Sequence, residues 1–260
     1  GTPPFVKGRL GGILNVFMYK KIPHHCIDFV HPKHTYTVAE YKKCAQKAII
    51  EIQNCGNIPL LVGGTGLYIR AVADGMVLPE VPPNKKLRAL LKKKSTAELF
   101  GVLQKLDPER AAAIDARNPR RLIRAIEICK ATGKQVPALR SQSNFQTLFI
   151  GIKTNEQELK RALQKRSKQQ IPGLLKEIKL LKVKVSKKRI CELGFEYKLA
   201  LETKNSGSLA SGIRIKLAKE LAKENWRYAK RQMTWFKRDR RIQWILKKDE
   251  ALELVAKFLH

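Results

Sequence analysis

Apolar residues recur along this chain with two spacings, and the elements follow from them. Over residues 38–55 they fall at Tyr41, Ala45, Ala48, Ile49 and Ile52, one face of a 3.6-residue helix. Thr37, with Glu40 three residues on, predicts a capping box at its start, and Gly56 ends it. Leu60-Leu61-Val62 is a continuous apolar run of strand type behind Pro59. Gly63, Gly64 and Gly66 follow at once, and residues 67–73 read as a helix ended by Asp74-Gly75. This strand, glycine turn and helix form the stretch around which the chain is organised. Upstream, residues 1–19 carry Pro3-Pro4, Gly8 and Gly11-Gly12 and read as irregular; a short strand is expected in the middle of residues 24–30.

Downstream, Pro79, Pro82 and Pro83 make residues 77–84 a linker. Helices are expected over 85–94, 96–106 and, opened by Asp107-Pro108, through 114. Asn118-Pro119 starts an amphipathic helix over 120–132 with Leu122, Ile123, Ile126 and Cys129 on its apolar stripe and Gly133 as its cap. Residues 147–152 read as a strand. A helix over 156–170 is expected to break at Pro172-Gly173 and resume over 174–181, and another spans 189–201 around Gly194. Residues 205–212 read as a loop. A long helix covers 213–238, with Trp226, Ala229, Met233 and Phe236 as a buried stripe; a strand over 242–246 and a helix over 251–259 close the chain. No internal repeat is visible.

Strand, helix, strand and helix in this order predict an α/β fold with a parallel sheet and ligands at the strands' carboxyl ends. The uninterrupted helices predict a helical insertion. The expected division is an irregular segment at 1–21, α/β core at 22–82, a helical insertion at 83–117 and the rest of the core with further helices at 118–260.

Charge changes this picture most. Among 260 residues, 53 are Lys or Arg and 22 Asp or Glu, a formal net charge of +31. A protein this basic calls for a polyanion, and nucleic acid is the usual one; a lysine-rich solvated surface is the alternative. Arg120, Arg121 and Arg124 crowd a helix start, against the helix dipole, which suits an anionic ligand or a solvated basic face. The Gly63–Gly66 run fits neither the dinucleotide nor the phosphate-loop pattern, so a ligand-binding turn and a plain tight turn both stay open, with Thr65 offering a hydroxyl at its mouth. Five scattered cysteines without a Cys-x-x-Cys pair predict reduced thiols rather than a disulfide framework or zinc ribbon. His24, His25, His31 and His34 lack metal-ligand spacing and read as structural or supporting residues. No apolar run reaches membrane-spanning length and no secretory pattern stands at the start, so a soluble, cytoplasmic protein without a membrane partner is expected.

Four blocks stand in an order that resembles one family. They are Pro23-His24-His25-Cys26-Ile27-Asp28, Leu61-Val62-Gly63-Gly64-Thr65-Gly66-Leu67-Tyr68, Arg120-Arg121-Leu122-Ile123-Arg124-Ala125-Ile126-Glu127 and Ala229-Lys230-Arg231-Gln232-Met233-Thr234-Trp235-Phe236. Together they resemble the tRNA dimethylallyltransferases (tRNA isopentenyltransferases). The resemblance implies a phosphate-loop-type (P-loop NTPase-like) parallel sheet core with an α-helical insertion that grips a tRNA anticodon stem-loop. It implies transfer of a dimethylallyl group from dimethylallyl diphosphate to N6 of the adenosine 3′ of the anticodon, assisted by Mg²⁺, in a monomer. By matching position it assigns Thr65 to the target nucleotide and the donor, and Arg166 to the diphosphate. It assigns Arg88, Arg120, Arg121, Arg124, Gly194, Lys230 and Arg231 to tRNA, with residues 191–196 as one contact segment.

The sequence departs from that pattern at its start. The family's Gly-rich loop ending in Lys-Ser/Thr and its Asp-Ser-x-x-x-Tyr segment, which carries the general base, have no match here. An N-terminally truncated core with impaired turnover is therefore expected, with no catalytic base and no metal ligand assigned. The alternative is a non-catalytic RNA-binding remnant of the same fold. A small-molecule kinase is a weaker third reading, because it needs a nucleotide phosphate loop.

Overall fold

The computed structural model describes residues 6–10, 13–137, 140–204 and 211–260. It divides into two compact units, one of residues 1–73 with 145–260, the other of residues 74–144.

The first unit opens with an antiparallel sheet in the order β1 (Val6–Leu10), β2 (Ile13–Tyr19), β3 (Ile22–His24). This corrects the expectation of an irregular start for the described part of 1–19. Tyr19 pairs with Ile22 across Lys20 and Lys21, whose φ angles of 48° and 63° are both left-handed. That is the two-residue hairpin geometry normally announced by Asn-Gly, and two lysines conceal it. The strand expected within 24–30 is confined to its first residue. Cys26 and Asp28 take φ of 59° and 47°, which no ladder tolerates, and the chain bends there instead.

Helix α1 (Val38–Asn54) begins with the anticipated capping box, both hydrogen bonds between Thr37 and Glu40 being made, and buries Ala45 and Ala48. Helix α2 (Gly66–Ala73) follows the glycine bend. Leu60–Val62 is not a strand. Leu60 is 80% and Val62 89% exposed, and no described strand pairs with them. A run of apolar residues becomes a strand only where a neighbour supplies ladder hydrogen bonds.

A parallel pair, β4 (Ile150–Ile152) with β5 (Gln243–Ile245), keeps the α/β character, in register from Ile150 opposite Gln243 to Ile152 opposite Ile245. Between them run α7 (Glu156–Lys184), α8 (Lys187–Leu193), α9 (Phe195–Lys204) and α10 (Ser211–Phe236); α11 (Lys248–Leu259) follows β5. Two readings are corrected here. Helix α7 continues through Pro172, because Ile171, Leu174, Ile178 and Leu181 bury one continuous face. That packing outweighs a proline penalty of about 3 kcal/mol. The helix expected over 189–201 is two helices parted at Gly194, which is extended. Helix α10 seats Leu217, Ala218 and Leu221 in this core. The Trp226, Ala229, Met233 and Phe236 stripe, read as buried, is only half-buried. Most of the loop anticipated over 205–212 lies outside the described residues.

The second unit holds α3 (Lys85–Leu91), α4 (Thr96–Leu106), α5 (Pro108–Ala113) and α6 (Pro119–Thr132) around Leu99, Leu103, Leu122 and Ile126. Asn118 caps α6 through its side chain, and Gly133 ends it with φ 65°. The segments entering and leaving this unit pair at an isolated bridge between Met76 and Ser141.

Candidate functional site

The glycine bend is held by α10. Gln232 Nε2 donates to the Gly64 carbonyl at 3.1 Å. A Cβ on Gly64 would lie 1.8 Å from that same nitrogen, and one on Gly66 would lie 2.0 Å from Trp235 Nε1. Two of the three glycines therefore make room for side chains of α10, a role that glycine spacing alone did not reveal. A Cβ on Gly63 would meet nothing within 4 Å. Thr65 is exposed at the mouth of the bend, and its carbonyl accepts from the Tyr68 and Ile69 amides to start α2. Behind the bend, the Tyr68 ring packs on Tyr41 of α1 with centroids 4.9 Å apart. The outcome is a bend seated on α10 that presents one hydroxyl and, at Gly63, an uncluttered stretch of backbone.

The same helix organises the cationic face. Helices α7 and α10 pack antiparallel, since Lys160 of α7 sits over Trp226 (4.8 Å) while Asn225 donates to the buried Ser167 hydroxyl at 3.4 Å and Ile171 packs with Leu217 and Ala218. Lys230 lies over the same indole at 5.5 Å, and Arg231 over Tyr228 at 5.6 Å. Cation–π contacts of this kind hold lysine and arginine stems against a surface while their charge stays in water. Arg166 is exposed, next to the buried Ser167 that ties it to Asn225. Seven positions separate Asn225 from Gln232, which at 1.5 Å per residue places their Cα atoms roughly 10 Å apart along α10. Thr65 and Arg166 are thus both mounted on α10, through neighbours that bond to it. Gly194 sits elsewhere in this unit, where a Cβ would crowd Glu196 Oε2 at 2.7 Å.

In the second unit, Arg120 and Arg121 are exposed on the first turn of α6. Arg88 and Arg124 are not simply surface cations. Both bond the carboxylate of Glu127, which is 1% exposed. Oε1 accepts from the Asn84 amide (2.7 Å) and Arg88 Nε (2.8 Å); Oε2 accepts from Arg88 Nη2 (2.7 Å) and Arg124 Nη1 (2.6 Å). Burial opposes ionisation of Glu127, but the hydrogen bonds from Arg88, Arg124 and Asn84 prevail and hold its pKa below the usual carboxylate range. Because the folded pKa is depressed, this stabilisation is fully present above the unfolded carboxylate pKa and is lost as pH falls through the folded value. We expect α3 and α6 to lose hydrogen-exchange protection on acidification in the wild type, with Glu127→Gln flattening that dependence below pH 4.5. Identical acid profiles for the two proteins would contradict it. The sequence signal was a glutamate three residues after Arg124 inside an otherwise apolar stripe.

His31 and His34 make local structural bonds. His34 Nε2 lies 2.7 Å from Glu40 Oε1, and the His31 Nδ1 accepts from the Lys33 amide. The Cys26 and Cys44 thiols are free and 3.2 Å apart, and burial with that neighbour pushes the Cys26 pKa up to about 12. Mg²⁺ is commonly held by one or two protein oxygens together with substrate phosphates, and no residue of this chain is assigned to it. Among the described residues no three or more His, Cys, Asp or Glu are grouped to hold an ion. Two carboxylates that feel α2 are committed elsewhere, Glu40 to Thr37 and His34, and Asp239 to Arg241. No helix of the described residues is long and apolar enough to cross a membrane.

The family model described as IPP transferase matches residues 16–239. The tRNA dimethylallyltransferase of Carboxydothermus hydrogenoformans is 32% identical over 250 residues, covering 90% of this chain and 78% of that protein. The one from Trichormus variabilis is 36% identical over 243 residues, with coverage of 90% and 78%. Among solved structures, the tRNA isopentenylpyrophosphate transferase of Bacillus halodurans aligns with a TM-score of 0.60 at 30% identity, over 92% of this chain and 77% of its own. A eukaryotic dimethylallyltransferase acting on tRNA aligns with a TM-score of 0.60 at 25% identity, over 83% and 56%. These likenesses carry the α/β, phosphate-loop-type core with its helices. Matched through most of its length by the family model and by relatives above 30% identity, this chain belongs to the tRNA dimethylallyltransferase family.

Proposed function

We propose that this chain takes part in prenyl transfer from dimethylallyl diphosphate to N6 of the adenosine 3′ of the anticodon. In the helical unit the tRNA contacts are Arg120, Arg121, Arg88 and Arg124; in the other unit, taken by itself, they are Lys230, Arg231 and the Gly194 segment. Thr65 meets the target nucleotide, and Arg166 holds the donor's diphosphate. The observation that carries the proposal is that one helix, α10, seats both the Thr65 bend and, through Asn225 and Ser167, the turn bearing Arg166. In the reaction the N6 lone pair forms a bond to the allylic carbon while the carbon–oxygen bond to diphosphate breaks. The amine proton passes to a base, and no residue of this chain is assigned that part. Cations near the leaving group stabilise the charge it gains. Mg²⁺ is expected from the family likeness alone, and the chain is taken to work as a cytoplasmic monomer.

The +31 charge also supports a second reading, RNA binding without donor binding. Titration calorimetry with dimethylallyl diphosphate separates the two. Saturable binding is expected, weakened about tenfold or more by Arg166→Ala, since a charged hydrogen bond contributes roughly 1.5–3 kcal/mol. Absence of donor binding, with stem-loop binding intact, would favour the second reading.

A further inference from the structure

We propose that Glu127 is a positioning residue for RNA, presenting Arg88 and Arg124 as one preset cationic fork to a backbone phosphate. This rests on the reading of those arginines as RNA contacts and adds the group that aims them. Both oxygens of the buried carboxylate are saturated by four donors, so the carboxylate cannot turn. The guanidiniums come from different helices, α3 and α6, yet meet at the single atom Oε2. Without a carboxylate between them two like charges would be held apart.

Each arginine remains about one third exposed, 35% for Arg88 and 34% for Arg124. Arg88 commits its Nε and Nη2 to Glu127, and Arg124 its Nη1 with a long contact from Nη2 to the Pro79 carbonyl at 3.5 Å. A guanidinium carries five N–H donors, so both keep donors beyond those bonds. The cluster stays net cationic, two charges against one. For stability alone, well-packed apolar residues would serve as well or better than a buried ion cluster. An arrangement that fixes two partly exposed guanidiniums, each with N–H donors to spare, at low conformational cost suits recognition of phosphate oxygens.

The test is binding of a fluorescent anticodon stem-loop to the full chain across a salt series. The proteins compared are wild type, Glu127→Gln, Arg88→Ala/Arg124→Ala and the triple variant. Glu127→Gln is expected to weaken binding about tenfold at low salt and to lower the log–log salt slope by about one phosphate contact, roughly 0.7–0.9. Added to the double-arginine variant it should weaken binding no further. A folded Glu127→Gln protein with wild-type affinity and slope, beside a weakened double-arginine variant, would overturn the proposal and leave the arginines as contacts. A double-arginine variant that binds like wild type would instead remove the arginines from the RNA reading, and this proposal with it. Should Glu127→Gln fail to fold, Glu127→Asp keeps the charge while shortening the reach. A reduced slope for it supports the proposal and a wild-type slope defeats it.

Discussion

Gly75→Ala is expected to destabilise the helical unit more than any other single-methyl addition. Gly75 has φ +61°, and a Cβ there would lie 2.0 Å from the Gln142 carbonyl oxygen and 2.5 Å from its carbon. Those are backbone atoms, with no side chain to swing aside. They belong to the paired segments through which the chain enters and leaves the unit, where Val77 donates to the Arg140 carbonyl at 2.9 Å and Met76 bridges Ser141. Left-handed backbone costs a non-glycine residue about 1–2 kcal/mol, and overpacking typically adds another 1–3 kcal/mol. A loss of about 3–4 kcal/mol follows, readable as lost hydrogen-exchange protection at Val77 and along α6. A variant within about 0.5 kcal/mol of wild type, the range of an ordinary surface change, would show that the two segments are not held together as described.

Gly66→Ala should do comparable damage at the bend itself. Its Cβ would fall 2.0 Å from Trp235 Nε1 and 2.1 Å from Cδ1, so the indole must leave its place or the bend must lift off α10. The expected cost is about 2–3 kcal/mol, at the upper end for overpacking. Trp235 should report it directly, with red-shifted emission and a lower urea midpoint. Trp235→Ala should cost stability alone yet cancel much of the Gly66→Ala penalty, a coupling of about 1 kcal/mol or more between touching residues. Additive effects would mean that Trp235 does not occupy the space the glycine leaves. Gly64→Ala is expected to be milder, because the atom in its way is the end of a flexible glutamine.

Much of this architecture could be read from local sequence rules. Thr37 with Glu40, Asn118-Pro119 and Gly133 marked helix ends because capping is chemistry between residues a few positions apart. The α6 stripe was legible because Leu122, Ile123, Ile126 and Cys129 are spaced to one face, whereas the burial of Ala125, Glu127 and Ile128 as well was not. What escaped depended on partners distant in sequence. Leu60–Val62 has strand composition, but no pairing partner among the described residues. Pro172 should break a helix, yet α8, α9 and α10 bury the same face on both sides of it. Lys20-Lys21 makes a hairpin turn without the usual residues. Among the candidate residues, the glycine bend and the arginine helix stood out at once, whereas Gln232 and Trp235 in the first unit and Glu127 in the second did not. Each of those three acts through a contact 39 or more positions away, such as Gln232 with Gly64 or Glu127 with Arg88. Residues 61–68 and 229–236 were recognisable as blocks; that one is the seat of the other was visible only in three dimensions.

The claim that matters most is that the bend around Thr65 receives the adenosine beside the anticodon. A stem-loop carrying photoreactive 8-azidoadenosine at that one position, irradiated in complex with the chain and mapped by mass spectrometry, tests it directly. Crosslinks are expected in the peptide containing Gly63, Gly64 and Thr65, and they should disappear with unlabelled stem-loop as competitor. Efficient crosslinks confined to other segments, with the bend unlabelled, would contradict it.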